Sequence, residues 1–378
     1  MLRDRIDPNL VKSNSAVSCH SLLVEVSMNR SIAIAMLSIG TVAASGLQPQ
    51  YARTGHGGEI ATATTLPSLG GNSQALAIDD EGTTVVGSSF DRSDLLHAVT
   101  WTLQGDGSWK ITDLGWPPDA VSSIARGINN NLDVAGNDFS PAASRPLLWP
   151  ITGGITILSD CSGSAGRAIV YGLSANAQVA VGATLGVGGS VWSPAGCESL
   201  PPLPGGTSPS AFAVNGDGTI VGGASATQTA ASVPVRWTHV AGQWQIEQLD
   251  SRSGLAVGAN TVGDLAGSVT TACALPDGCS RAVIWYAAGG SRELGTLGGD
   301  QSWASDINSS GELVGGSTAP RVGNTAYFWS ESRGMLQLPF KGRFAVANAL
   351  SDVRPDGTRI VVGTDSRANA IVWVVRNP

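Results

Sequence analysis

A tryptophan recurs seven times along this chain at nearly even spacing, and each one follows a glycine preceded by two apolar residues. Successive tryptophans are 48, 43, 45, 48, 44 and 44 residues apart. A period of about 45 residues is typical of a repeat architecture, in which each unit buries its apolar faces against its neighbours. The recurring pairs are Gly87 with Trp101, Gly136 with Trp149, Gly182 with Trp192, Gly222 with Trp237, Gly267 with Trp285, Gly315 with Trp329, and Gly363 with Trp373.

The sixth repeat displays the unit most clearly. Its strand-like segments are Ala304–Asn308, Glu312–Gly315, Thr325–Trp329 and Met335–Leu338. Segments this short, bounded by Gly, Asn, Asp or Pro, favour antiparallel hairpins and exclude helices of ordinary length. Four strands in each of seven units predict an all-β fold, a seven-bladed β-propeller of four-stranded antiparallel blades. An open β-solenoid is the alternative architecture.

The two ends of the repeat region predict how the ring closes. The seventh unit runs through Phe344–Leu350, Arg359–Gly363 and Ala370–Val375 without a fourth strand, whereas Ala63–Gly71 resembles a surplus fourth strand and its exit. Pairing the two removes an exposed sheet edge, so we expect an N-terminal strand to complete the C-terminal blade. We expect the repeated tryptophans to be core residues, with sugar-stacking platforms as the alternative, and the repeated glycines to allow close backbone approach.

The first 58 residues are expected to lie outside the propeller. From Met28 the chain has a short basic start at Arg30 and an apolar stretch, Ile32–Ala44, followed by Ser45, which is typical of a signal peptide. The stretch is shorter than the ~20 residues of a membrane-spanning helix, and a short membrane anchor is the alternative. The predicted segments are a possible upstream extension (1–27), a signal peptide (28–44), a linker (45–58) and a single propeller (59–378).

Four cysteines follow the predicted signal peptide, and an even number in an exported chain favours two disulfides. Cys273 and Cys279 enclose a turn sequence, which predicts a local bridge, and Cys161 with Cys197 is the remaining pair. Neither a C-x-x-C motif nor paired Cys/His ligand spacing occurs. We expect no metal site and no cofactor.

Charge and motifs exclude several classes of function. The formal net charge is −7 and the chain has no basic run, which argues against a nucleic-acid or anionic-membrane partner. No G-x-S-x-G elbow is present and no Ser-His-Asp set can be assembled with any specificity, so an enzyme is not favoured. Asp79–Gly82 and Gly216–Gly218 read as hairpin turns because they lack the ligand spacing of a calcium loop. A monomer without a transmembrane anchor after processing is expected.

The segments that join second to third strands vary from repeat to repeat. On a rigid scaffold, variable loops are where binding usually resides. His97 occupies a position filled by Arg281, Thr325 and Asn369 in other repeats, so it reads as a polar edge-strand residue rather than a catalyst. The candidate binding residues on this rim are Asp91, Arg92, Asp94, His97, Asp138, Arg145, Asp277, Arg281, Asp300 and Arg321.

Several motifs resemble the HAF-repeat family of extracellular bacterial proteins: Leu294–Gly299, Asp306–Gly311, Val314-Gly315 and His97–Trp101. The last departs from the family's His-Ala-Phe by having Val99 in the third position. The resemblance spans about residues 63–375. It implies secretion and a repeat scaffold, and it transfers no catalytic residues.

These observations together predict a secreted or periplasmic repeat scaffold that binds a protein or glycan partner through variable loops on one propeller face. The alternative is an extracellular hydrolase or lyase with catalytic residues gathered around the central channel. Convergence of His97, Asp300 and Arg321 at the channel mouth would favour the enzyme.

Export and oxidation are testable together by intact-mass measurement of protein purified from its native host. We expect a chain that starts near Ser45 and that is lighter by four hydrogens than its fully reduced form, because all four remaining cysteines are paired. A chain that retains Met1 and free thiols would contradict both inferences.

Overall fold

The computed structural model describes residues 61–140, 143–159, 161, 167–176, 178–228, 232–273 and 278–376. These residues form 28 strands arranged in seven four-stranded antiparallel sheets, and no helix occurs among them. The predicted all-β, seven-bladed propeller is confirmed. The predicted extension, signal peptide and linker (1–27, 28–44 and 45–58) lie outside the described residues.

The first four blades follow the chain without interruption, each running from an inner first strand to an outer fourth strand. Blade I contains β2 (Gly70–Ile78), β3 (Thr84–Asp91), β4 (Leu96–Leu103) and β5 (Trp109–Asp113). Blade II contains β6 (Ser122–Ile128), β7 (Val134–Phe139), β8 (Ser144–Trp149) and β9 (Thr156–Ile157). Blade III contains β10 (Ala168–Leu173), β11 (Ala180–Thr184), β12 (Gly188–Ser193) and β13 (Gly196–Ser199), and blade IV contains β14 (Thr207–Val214), β15 (Ile220–Ala226), β16 (Ser232–Val240) and β17 (Gln243–Gln248).

The last three blades repeat this order, except that the fourth strand of blade VII comes from the other end of the repeat region. That strand, β1 (Ala61–Thr65), pairs antiparallel with the last strand, Ala61 opposite Val375. Gly70 and Gly71 begin blade I rather than ending this strand. Blade V contains β18 (Gly254–Ala259), β19 (Leu265–Thr271), β20 (Cys279–Trp285) and β21 (Ser291–Glu293); blade VI contains β22 (Ser302–Ile307), β23 (Leu313–Ala319), β24 (Gly323–Ser330) and β25 (Gly334–Gln337); blade VII contains β26 (Ala345–Leu350), β27 (Thr358–Asp365), β28 (Ala370–Arg376) and β1.

A β-bulge interrupts the first strand of every blade, and the repeated glycine lies on the second strand opposite it. In blade VI, a Cβ added to Gly315 would lie 2.0 Å from the carbonyl oxygen of Trp303, far inside van der Waals contact. The predicted close backbone approach is confirmed. The glycines in this position are Gly87, Gly136, Gly182, Gly223, Gly267, Gly315 and Gly363.

Blade IV corrects one assignment made from the sequence. The glycine against the bulge is Gly223, whose added Cβ would lie 2.1 Å from the Ser210 carbonyl, and not Gly222. Gly222 pairs with Ala213, just past the bulge. Two adjacent glycines follow the same apolar pair here, and only the register across the sheet distinguishes them.

The seven repeated tryptophans are all buried, with 4% or less of each side chain exposed, which confirms that they are core residues. Several also fix the connection that leads into their own blade. The indole N–H of Trp101 donates to the Pro67 carbonyl at 2.7 Å, and that of Trp237 donates to the Pro201 carbonyl at 2.8 Å. The repeated tryptophan therefore packs in the core of its blade and also holds the connection that enters that blade.

The first turn of every blade is closed by a buried polar side chain directly after the first strand. In blade VI, Asn308 Oδ1 accepts the backbone N–H groups of Ser310 and Glu312 at 3.0 Å each. Such caps satisfy backbone donors that the turn would otherwise leave without a partner. The seven buried residues at this position are Asp79, Asn129, Ser174, Asn215, Asn260, Asn308 and Ser351.

Hydrogen bonds link neighbouring blades beside these caps. Asn130 Nδ2 donates to Asp80 Oδ2 at 2.9 Å and to Asn176 Oδ1 at 3.0 Å. Ser309 Oγ donates to Asp352 Oδ2 at 2.8 Å, and the Asp352 N–H donates to the Asp80 carbonyl at 3.0 Å. The last pair spans blades VII and I, where the ring closes. The inner strands of successive blades also contact one another around the whole ring.

Both predicted disulfides are present. Cys161 and Cys197 have Cα atoms 5.2 Å apart and join the exit of blade II to β13, and Cys273 and Cys279 have Cα atoms 5.8 Å apart. Cys197 is the second residue of β13. Within the described ranges, no helix is long and apolar enough to cross a membrane.

Because of the contact between glycine and bulge, the stability cost of replacing a glycine with alanine should depend strongly on the position of that glycine. Gly315→Ala should destabilise the fold by about 3 kcal/mol, because the new methyl group must displace the backbone of the inner strand. Gly105→Ala is the matched control: a Cβ there meets nothing within 4 Å, so we expect a change within about 0.5 kcal/mol. Urea denaturation measures both, and equal effects would contradict the steric account.

Candidate functional site

The antiparallel order of the strands divides the connections between two faces of the propeller. Connections from second to third strands and those from blade to blade emerge on one face, here called the loop face. The hairpins from first to second and from third to fourth strands emerge on the other, here called the turn face. Nine of the ten candidate rim residues lie in loop-face connections or near the strand ends beside them. The tenth, Asp277, lies outside the described residues.

His97 lies on blade I in contact with two carboxylates and an aromatic ring. Its Nδ1 is 2.8 Å from Asp113 Oδ2, and its Nε2 is 3.6 Å from Asp91 Oδ2, beyond hydrogen-bond distance. The ring centroids of His97 and Trp116 are 4.4 Å apart. Among the described residues, no hydroxyl or thiol bonds to His97, so this cluster offers proton transfer and stacking but no paired nucleophile.

Asp91 holds the loop that follows β3. Its Oδ1 accepts the N–H of Ser93 at 2.7 Å and that of Leu95 at 2.9 Å. The hydrogen bond from Leu95, together with those from Ser93 and the nearby His97, keeps the pKa of Asp91 below its usual range. The carboxylate therefore has a structural role in shaping this loop.

Arg145 joins two carboxylates on blade II. Its Nε lies 2.9 Å from Asp138 Oδ2, and its guanidinium also bonds Asp119 at 2.7 and 2.8 Å. Asp138 is fully buried, whereas the Asp119 side chain is 66% exposed. The hydrogen bond donated by Arg145 lowers the pKa of Asp119, and the hydrogen bonds that Arg145 donates to Asp119 and Asp138 raise its own pKa. Asp138 and Arg145 are thus already paired with each other, and Asp119 is the solvent-exposed member of this three-residue cluster.

The remaining candidates are spread over other blades. The Arg281 guanidinium donates to the carbonyl oxygens of Ser280 and Asp300, which ties blade V to the connection entering blade VI. Asp94 and Arg321 are exposed residues at the positive-φ positions of tight turns, φ 59° and 65°. Arg92 is exposed and lies against Gly70, where an added Cβ would be 2.6 Å from Arg92 Cγ.

Among the described residues, no hydrogen bond, ion pair or ring contact joins His97 to Asp300 or Arg321. His97 belongs to blade I, whereas Asp300 and Arg321 belong to blade VI, and blade VII lies between them. Within the described ranges, no group of three or more His, Cys, Asp or Glu side chains could hold a metal ion. The geometry therefore offers separate local clusters around the loop face.

Sequence reasoning missed four apolar residues on the loop face around His97 and the connection that follows blade I. Leu95 and Val121 are 42% and 52% exposed, and Trp116 and Pro118 are in the connection between blades I and II. We call these four residues the blade I–II patch. A signal was available, since Trp116 is one of four tryptophans outside the seven-fold period and follows the last strand of its repeat.

One carboxylate lies in the inner wall of the propeller. Asp306 immediately follows the bulge of β22, and its Oδ2 accepts the Leu350 N–H of blade VII at 3.1 Å. Burial raises the pKa of Asp306 to about 7, the nearby Asp80 and Asp352 carboxylates add to the shift, and N–H bonds from Leu350 and Ile307 oppose it. The corresponding residues of the other blades are all alanine or glycine: Ala77, Gly127, Gly172, Ala213, Gly258 and Ala349.

No protein-family model matches the chain, and no curated protein matches it. Among solved structures, it is similar to a catalytically inactive virginiamycin B lyase from Staphylococcus aureus with quinupristin, with a TM-score of 0.54 and 12% identity over 83% of this chain and 99% of that one. It is also similar to the Cps50 (Swd1) β-propeller domain of Myceliophteria thermophila, with a TM-score of 0.51 and 12% identity over 84% and 100% of the two chains.

A streptogramin B lyase structure gives a TM-score of 0.53 at 11% identity, over 84% of this chain and 97% of that one. Identities this low show a shared propeller fold alone. The HAF-repeat family resemblance stays a prediction.

Asp306 predicts a specific pH dependence of stability. Because its folded pKa of about 7 is above the ordinary 3.8, ionisation opposes folding, so its contribution becomes less favourable as pH rises from about 4 to 7. Asp306→Asn should therefore gain stability relative to the wild type between pH 4 and pH 8 in denaturant titrations. The exposed Asp300→Asn is the control, and parallel pH profiles for wild type and Asp306→Asn would contradict the prediction.

Proposed function

We propose that this protein is a secreted or periplasmic scaffold that binds a protein partner through the blade I–II patch on its loop face. The observation that carries the proposal is the half-buried Trp116, whose ring contacts His97, together with two exposed apolar residues nearby in the chain, Leu95 and Val121. Large apolar side chains grouped on a surface mark interaction sites, whereas scattered single ones do not.

The composition of the patch favours a protein over other partners. Interfaces combine an apolar centre with a polar rim, and tryptophan is enriched among the residues that dominate binding energy. Here Asp91 accepts the Leu95 N–H, and Asp119, three residues after Trp116, pairs with Arg145, so the nearby charges are already hydrogen-bonded. A partner can therefore cover this rim without leaving an isolated charge.

Local hydrogen bonds hold the patch in place before any partner binds. The Gly115 N–H donates to Asp113 Oδ1 at 2.8 Å, and the Val121 N–H donates to the Phe139 carbonyl at 2.9 Å. The His97 ring supports Trp116 by direct contact. Side chains that are already ordered lose less conformational entropy on binding, which favours affinity.

Two disulfides and the apolar stretch at Ile32–Ala44 support an oxidising location such as the periplasm or the exterior. The enzymatic alternative would use His97, held by Asp113, as a general base. The lack of a contact between His97 and either Asp300 or Arg321 in the described residues supports the scaffold, and the likeness to lyases concerns only the fold.

Affinity capture from envelope extracts tests the proposal. Trp116→Ala combined with Val121→Ser should abolish retention of a partner that the wild type captures, and the purified partner should bind at least ten-fold more weakly to this variant. The matched control is Ile151→Ser with Val262→Ser, because these turn-face residues are 60% and 62% exposed.

Equal retention by both double variants would contradict the loop-face site. Binding to immobilised glycans that depends on Trp116, with no protein retained, would replace the protein partner with a glycan.

A further inference from the structure

The bulged residues of the seven inner strands line the central channel. Inner strands are covered by the rest of their blades and by neighbouring blades, so a side chain partly exposed there faces the channel. Six of the seven are partly exposed and Phe212 is 5% exposed. In ring order these residues are Leu76, Arg126, Tyr171, Phe212, Val257, Ser305 and Asn348.

Arg126 carries a positive charge in this ring without an acceptor. Its guanidinium lies 5.7 Å from the centre of the Tyr171 ring, whose own centre is 5.1 Å from that of Phe212. The Arg126 Nε is buried and has no hydrogen-bond partner, and no carboxylate or carbonyl of the described residues bonds the guanidinium. Burial lowers the pKa of Arg126, and among the described groups only Tyr171 opposes that shift.

Arg236 and Arg359, whose side chains are only 8% and 14% exposed, both have oxygen partners. Arg359 bonds both oxygens of Glu312 at 2.6 and 2.8 Å, and Arg236 donates to the Tyr286 carbonyl at 3.2 Å. Burial of a charged group without a partner is costly, so proteins pair such groups with a counter-charge or a ligand. Arg126 differs from these two arginines in this respect.

We propose that Arg126 and Tyr171 bind a small organic monocarboxylate inside the channel. The planar guanidinium can donate two parallel hydrogen bonds to a carboxylate, and the Tyr171 hydroxyl supplies a further donor. Phe212 and Val257 continue the same ring and offer apolar contacts to the body of the ligand. A carboxylate attached to an apolar group therefore matches both parts of the site.

The charges at the two ends of the channel favour entry from the loop face. Arg167 directly precedes β10 and Arg343 comes two residues before β26, both exposed and without a carboxylate partner in the described ranges. Exposed Asp300 comes two residues before β22, so these two arginines outnumber one carboxylate at this end. At the turn-face end, near Asp306, lie Asp80 and Asp352, whose carboxylates repel an anion. An anion thus moves along a favourable gradient of potential toward Arg126.

Calorimetric titration of the full chain with benzoate, acetate and phosphate tests the site. We expect benzoate to bind most tightly, Arg126→Met to weaken it at least ten-fold, and Tyr171→Phe to weaken it several-fold. Arg126→Lys should also lose affinity, because an ammonium group cannot form the bidentate contact. Arg321→Met, which removes an exposed loop-face arginine, should bind benzoate like the wild type.

Thermal unfolding separates this site from a purely structural role for Arg126. Benzoate should raise the Tm of the wild type and of Arg321→Met but not that of Arg126→Met, since a ligand stabilises only the state that binds it. Without benzoate, Arg126→Met should unfold at or above the wild-type Tm because a buried, unpaired charge is gone.

A lower Tm for Arg126→Met in every buffer, with no benzoate binding by the wild type, would overturn the proposal. Equal affinity for phosphate and benzoate would overturn the assignment to a monocarboxylate.

Discussion

The contact between each inner-strand bulge and the glycine opposite it is the constraint on which this propeller depends. The bulge directs a backbone carbonyl at the second strand, and only hydrogen fits in the space that remains. Bulges bend and twist the strand that contains them, which suits a strand curving beside a narrow axis. Seven repetitions of one contact therefore give seven blades of one shape, and blades of one shape close into a ring.

The same bulge determines what the channel contains. The extra residue in each inner strand is freed from regular pairing and faces the axis, so its side chain is under weak constraint from the blade core. All seven blades have a buried tryptophan and a glycine at equivalent positions, but the bulged residue differs in chemical type from blade to blade. Leu76, Arg126 and Asn348 are examples. Residue type therefore varies most at the bulged position, where the side chain does not pack into the blade core.

Cohesion between blades comes from polar groups as much as from apolar packing. Buried Asn, Asp and Ser side chains cap the first turns, and their neighbours bond across the blade boundaries. Asp306 is the exception in the inner wall, since its carboxylate is desolvated and faces the acidic residues Asp80 and Asp352. The loop face carries a different set of contacts, in which Arg145 and His97 organise the charged groups around Trp116.

The sequence alone determined the period, the number of blades and the strand content, because these follow from local turn residues and a repeat read along the chain. It also paired Cys273 with Cys279 across a turn sequence, which left Cys161 with Cys197 as the remaining pair. It also predicted that the repeated glycines allow close backbone approach, and it identified the glycine correctly in every blade except blade IV, where Gly222 was chosen instead of Gly223. That choice depends on a one-residue register shift across the sheet, which a pattern of alternating residues does not contain.

Tertiary structure decided which polar residues are engaged and which are available. Asp138 and Arg145 looked like rim residues, yet they form a pair in which Asp138 is fully buried. Trp116 and Arg126 matched no motif, and their surroundings are formed by side chains from distant strands or from the next blade. A repeat specifies its own core through short-range pattern, whereas a site arises where unlike residues from different repeats meet in space.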